Sequence, residues 1–475
     1  MPDVTVSLPD DGLVVVVKQD CPTCRLVAPV LDVLDAAVYS QDDPAFPPGI
    51  DVRDDTDLDV SVALGIDVVP TLLRRESGRE TVRTEGWDRE RWRELAGVAD
   101  LGAELPEWKP GCGSRTHDPA VADEMLVRAR GHELTARRVE LAGLEDEAEA
   151  LHDRGWTDGL PVVAPTPPRV LRMLAGTTRA PDEVVAVVPP NLVPATVEKV
   201  AINAVLAGCR PEYLPVVLAA VEAACDTDFN AHGLLATTWG AAPAVLVHGP
   251  IARRIGVNTG GNVLGQGTRA NSTIGRALQL VIRNVGGGRP GEVDRATLGQ
   301  PGKVGLCFAE DEDGSAWEPL SVSRGVPAGV SAVTVFAAEG ARGIVDQLSR
   351  TPESLARTLA GALRGVAHPK LAGGFDATLV LSPEHLAVFV DAGWDRARFT
   401  AALDDLLLLA PEELARGADG IAEGMPATRP RPKFRPGGLL VAVAGGGAGK
   451  FSAVLGGWVG GPGGSTPVTR VIEEA

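Results

Sequence analysis

The apolar run Leu13-Val14-Val15-Val16-Val17 leads through a short polar turn into Cys21-Pro22-Thr23-Cys24 and the helix-like stretch Pro22 to Val38. A strand that turns into a helix at this point fixes where two thiols go: on the first helical turn, within disulfide reach of each other. The unpaired amides and the dipole of a helix N-terminus stabilise a thiolate on the first of them. Cys21 is then the expected nucleophile and Cys24 the resolving thiol. The same spacing is also half of a zinc site, so what surrounds it decides its meaning.

Strand-like and helix-like stretches alternate through the rest of residues 1–98: Ile50 to Arg53, Asp57 to Leu64, Val68 to Arg74, Glu80 to Thr84 and Asp88 to Leu95. Such alternation predicts a compact α/β domain. The helix after the thiols carries Pro29 in its interior, where proline is costly, and Gly65-Ile66-Asp67-Val68-Val69-Pro70-Thr71-Leu72-Leu73 follows further on. Strand, dithiol, kinked helix and the later Val-Pro-Thr-Leu-Leu together resemble the thioredoxin family over residues 1–98. The resemblance implies a thioredoxin-like fold, a redox-active Cys21–Cys24 disulfide, and a cis peptide bond before Pro70 beside the dithiol. Asp20 stands where that family usually has Trp, Pro22-Thr23 where it has Gly-Pro, and Val15 where it buries an Asp. These departures point away from general disulfide reduction and towards a dedicated partner, including the rest of the same chain.

Residues 99–152 read as a linker with connecting helices between Ala120 and His152, and hold Cys112 between two glycines, with Arg115 and His117 close enough in sequence to favour its thiolate. Residues 153–475 read as a larger α/β domain of one or two subdomains with a mixed or partly parallel sheet. Its strand candidates are Ala244 to Val247, Ala332 to Phe336, Thr378 to Leu381 and Leu439 to Val443. Helices are expected at Ala195 to Ala207, Tyr213 to Ala224, Asn271 to Val285, Pro352 to Val366 and Arg396 to Leu408. The run Asn258 to Ser272 leads into one of these helices, and its glycines with Asn258, Asn262, Arg269 and Asn271 suit an anionic small molecule. A long structural loop tied by Asn side chains explains the same residues. His248, Glu339 and His385 follow candidate strands, where ligands collect in open α/β sheets; His248 is the candidate acid or base. Cys307 precedes the acidic run Glu310 to Asp313, which raises a thiol pKa, and is a second candidate relay thiol. Cys209 and Cys225 sit in apolar helical contexts that suit packing. Gly445 to Ser452 imitates a phosphate loop, but Phe451 and Ala444 stand where Ser/Thr and Gly are required. The glycine-rich tail Gly445 to Gly464 is apolar enough to pack on a sheet.

Six cysteines in 475 residues are too few for a secreted disulfide framework. Forty-five basic against 63 acidic residues, a net charge of −18, argue against a nucleic-acid partner. No apolar run approaches the ~18 residues of a membrane span, and the Met1-Pro2-Asp3-Val4 start has no basic leader. The expectation is a cytoplasmic, thiol-dependent oxidoreductase that reduces a small anionic or sulfur-containing substrate, with an external thiol or disulfide reductant and no cofactor or metal beyond the Cys21–Cys24 disulfide. Two alternatives use the same residues: sulfur transfer or thiolate capture of a metal or organometal, and a non-catalytic docking module beside a ligand-binding scaffold. Oligomeric state is not legible.

Overall fold

Val14 to Val17 have no exposed surface, which is what a strand covered on both faces requires. In the computed structural model, which describes residues 8–142, 145–414, 429–461 and 463–474, Gly12–Val17 is the central strand of a five-stranded mixed sheet. Ala36–Ser40 pairs with it in parallel and Thr71–Glu76 antiparallel; Val52–Asp54 and Arg79–Glu85 form the edges. The Met1 to Val4 start lies outside the described residues. The chain divides into two compact units, Met1–His132 and Glu133–Ala475.

Two sequence expectations for the first unit change. The helix ends at Leu31, and Val38-Tyr39 belong to a strand in register with Val15-Val16; a short buried apolar run carries no period that separates strand from helix. Residues 99–119 are not a free linker. Trp108–Lys109 pairs with Trp87–Asp88, and Cys112–Gly113 with Val68–Val69. The buried Trp87 donates its indole N–H to Pro106 O at 2.6 Å. Gly111 is required here, because a Cβ would collide with Val68 and the Val69 carbonyl. The predicted stretch Ala120 to His152 contains the helices Pro119–Arg130 and Glu147–Asp153.

The second unit contains two four-stranded mixed sheets. One has the order Leu306–Ala309, Ala242–His248, Ala332–Ala338, Val468–Val471; the other Arg342–Val345, Phe451–Val459, Phe375–Leu381, Leu439–Val443. All four strand candidates are strands. The five expected helices stand at Val197–Ala207, Leu214–Ala224, Arg269–Asn284, Pro352–Arg364 and Arg396–Leu406. The glycine-rich tail does more than pack on a sheet: Phe451–Val459 is an interior strand of it. Its glycines fit because a Cβ on Gly456 or Gly457 would meet Glu339 or the Asp376 backbone. Helices Pro383–Val390 and Arg396–Leu406 close this sheet around an aromatic knot in which Phe389 and Phe399 lie 4.6 Å apart, with Trp317 and Trp394 against them. Phe389 is fully buried, so Phe389→Ala should destabilise this unit by ~3–5 kcal/mol, measured as a lowered urea midpoint. An unchanged midpoint would show that the knot collapses around the hole.

Candidate functional site

Cys21 caps the helix Pro22–Leu31. Its backbone is extended, φ −96° and ψ 120°, so its sulfur turns back over the first turn and accepts the Cys24 amide at 3.3 Å. Pro22 at the start of the helix has no N–H to leave unpaired. Cys24 Sγ accepts the Lys18 amide at 3.4 Å. The paired segment Cys112–Gly113 brings a third sulfur: Cys112 Sγ stands 2.7 Å from Cys21 Sγ. That approach is held by the Val69–Cys112 register and by Thr23 Oγ1, which donates to Pro110 O at 2.7 Å. All three cysteines are free thiols, and Val69–Pro70 beside them is cis.

The electrostatics separate the three thiols. Donation from the Cys24 thiol, the strongest influence, outweighs burial and, with Cys112 and the Cys24 and Thr23 amides, pulls Cys21 down to about 5. Burial, reinforced by the Cys21 negative charge, pushes Cys24 far up; burial and Cys21 also raise Cys112. The arrangement is one thiolate held by two protonated donors. Cys21 and Cys24 are 0% exposed, whereas Cys112 is partly exposed. A cleft of about 660 Å³ lies alongside, lined by Lys18, Asp20, Asp42, Ser114, Arg115 and His117. Arg115 and His117 do not serve Cys112 as the sequence suggests. Arg115 donates to Gln41 O at 2.7 Å, and His117 bonds Asp67 at 2.9 Å.

The remaining candidates lie in the second unit and do not converge on one point. Cys307 is a buried residue of the edge strand Leu306–Ala309, and its thiol is raised by burial and then by Cys209, not by the acidic run that follows it; nothing there favours a relay. Burial likewise pushes Cys209 and Cys225 up to about 12, as packing thiols require. The Asn258 to Ser272 loop is tied to itself. Asn271 Oδ1 accepts the Asn258 amide at 2.8 Å, Asn258 Nδ2 donates to Gly261 O at 2.9 Å, and Asn262 Nδ2 to Gln266 O at 2.6 Å. The scaffold explanation therefore accounts for Asn258, Asn262 and Asn271, leaving exposed Arg269, which donates to Gly208 O at 2.8 Å. Buried His385 is held by Ser452 Oγ at 2.7 Å and Asp346 O at 3.2 Å, and burial depresses its pKa; it ties the strand Phe451–Val459 to its neighbours. Glu339, raised by burial, lines a cavity of about 260 Å³ with Gln300 and Arg342.

His248 has company that the sequence did not reveal. The parallel pairing of Val247 with Ala309 sets His248 beside Glu310, and the two side chains are almost fully buried. Ligand-type atoms of His248, Glu310 and Glu312 all lie within 4.8 Å of one another, so these residues could hold a metal. The acidic run was legible only as charge near Cys307. Register between strands some 60 residues apart was the missing signal.

No family model matches this chain, and no curated protein matches it either.

Proposed function

We propose that the first unit is a thioredoxin-like dithiol oxidoreductase in which Cys112 is the thiol that meets the substrate. The observation that carries this is the 2.7 Å approach of partly exposed Cys112 to the buried, ionised Cys21. The sheet order, with a dithiol at the helix following its central strand, supports the thioredoxin-like reading. Cys112, passing its proton to the Cys21 thiolate 2.7 Å away, attacks one sulfur of a substrate disulfide and expels the other as a thiolate, which takes that proton back from Cys21. Cys21 thiolate then attacks Cys112 sulfur, releasing the second substrate thiolate and forming a Cys21–Cys112 bond. Cys24 passes its proton to the departing Cys112 and closes on Cys21, so the two electrons delivered to the substrate leave a Cys21–Cys24 disulfide. An external dithiol restores the reduced enzyme by exchange. The cleft sets Lys18 and Arg115 against Asp20, Asp42 and Asp118, so its lining carries no preference for an anionic substrate.

Equilibration in thiol–disulfide buffers tests this: peptide mapping should show a two-electron couple confined to Cys21, Cys24 and Cys112. If these thiols stayed unpaired across the range from reducing to oxidising buffer, the oxidoreductase reading would fail. Convergence of three sulfurs also supports a second reading, capture of a soft metal or organometal by thiolates, for which ion binding without any disulfide couple is the expected result.

A further inference from the structure

His248 ends the interior strand Ala242–His248 with no exposed surface, and its Nδ1 is buried without a hydrogen-bond partner. It looks at two carboxylates, Glu310 Oε2 at 3.4 Å and Glu312 Oε1 at 3.8 Å. A buried imidazole nitrogen that faces charge yet makes no hydrogen bond needs an explanation. We propose that His248 Nδ1, Glu310 and Glu312 bind one divalent transition-metal ion of the zinc class, with an open coordination position on the Glu312 side.

Bonds of ~2.0–2.2 Å at tetrahedral angles separate ligand atoms by about 3.3–3.6 Å, close to the separations of both carboxylates from Nδ1. One imidazole and two carboxylates suit a borderline transition metal better than a hard ion such as calcium. The surroundings act as an outer shell. His248 Nε2 lies 3.0 Å from Thr334 Oγ1, which bonds Thr469 Oγ1 at 2.9 Å. When Nε2–H donates to Thr334, the Nδ1 lone pair is bare and aimed at the carboxylates. Glu310 is fixed by the Leu320 amide at 2.8 Å and by Arg396 at 3.0 Å, and Glu312 by the Gly249 amide at 2.9 Å. Arg396 offsets one of the two carboxylate charges, so a dication meets a net negative pocket. The Glu312 side chain keeps 23% exposure, which gives the ion and an exogenous ligand a route in.

The full chain carrying Cys21→Ser, Cys24→Ser and Cys112→Ser removes competition from the thiols of the first unit. After chelator treatment and dialysis it is titrated with Co²⁺, which is then displaced with Zn²⁺. One ion per chain is expected, with cobalt d–d absorption and no thiolate-to-cobalt charge-transfer band. Affinity should fall at least ~10-fold on Glu312→Gln or His248→Ala. Glu312→Gln keeps the acceptor for Gly249 and decides the matter if His248→Ala does not fold, as monitored by circular dichroism. Absence of binding in the thiol-substituted chain, a thiolate band, or undiminished affinity in folded Glu312→Gln would each overturn the site.

Discussion

Replacing Cys24 with serine should leave a Cys21–Cys112 disulfide as the accumulating product of mild oxidation. In the parent chain Cys24 resolves that bond, so Cys21–Cys24 is the expected end state. Without it, exchange stops one step earlier. The reason is geometric: Cys112 Sγ already stands 2.7 Å from Cys21 Sγ, and its strand pairing keeps it there. Non-reducing peptide mapping by mass spectrometry should find most of the oxidised Cys24→Ser chain in this cross-link, and Cys21→Ser should abolish it. Disulfide reduction should fall by about two to three orders of magnitude in Cys21→Ser, because serine at that place is not an accessible anion near pH 7. Recovery of Cys21 only as an adduct with an external thiol, with Cys112 still free, would sink the relay.

The second large effect is on pH dependence. An ordinary thiol is only a few per cent thiolate near pH 7, whereas Cys21, pulled down to about 5, is almost wholly ionised there. The rate of Cys21 alkylation by a small neutral reagent should therefore rise through a midpoint near 5 and then level off. Reading the midpoint rather than the rate separates ionisation from the shielding imposed by Cys112. Cys24→Ala removes the strongest of the influences that lower it, so the midpoint should move up by about one unit or more. Because the fold depresses this pKa, the stabilisation it contributes is present above the unfolded thiol's pKa and is lost as pH falls through about 5. Denaturant midpoints of the reduced protein should register that loss, and the loss should shrink in Cys21→Ser. A Cys21 midpoint in the ordinary thiol range would refute the account.

Much of the fold was legible because its signals are local. Val14 to Val17 announce an interior strand, and five helices of the second unit lie within a few residues of where their periodicity places them. Cys21 at a helix N-terminus was legible for the same reason: capping is decided within one turn. The failures share a cause. Cys112 was open to two readings, a relay to Cys21 and an incidental linker thiol, because nothing in Lys109 to His117 shows that the chain folds back onto Val68–Val69. Asn258, Asn262 and Asn271 looked like ligand groups, since polar residues in a glycine-rich run have the same composition whether they face a guest or each other. His248 was singled out, but Glu310 and Glu312 were not joined to it, because only strand register brings them together.

By itself the chain's order of residues determined which segments become strands and helices, and which sulfur sits where a helix favours an anion. Those outcomes depend on neighbours a few residues apart. Tertiary structure alone decided that a third thiol covers the first, that the loop asparagines bond their own backbone, and that a buried imidazole meets one buried and one partly exposed carboxylate. Each of these depends on segments brought together across long stretches of chain, and contacts of that kind are selected by the packing of the whole unit rather than by any local pattern.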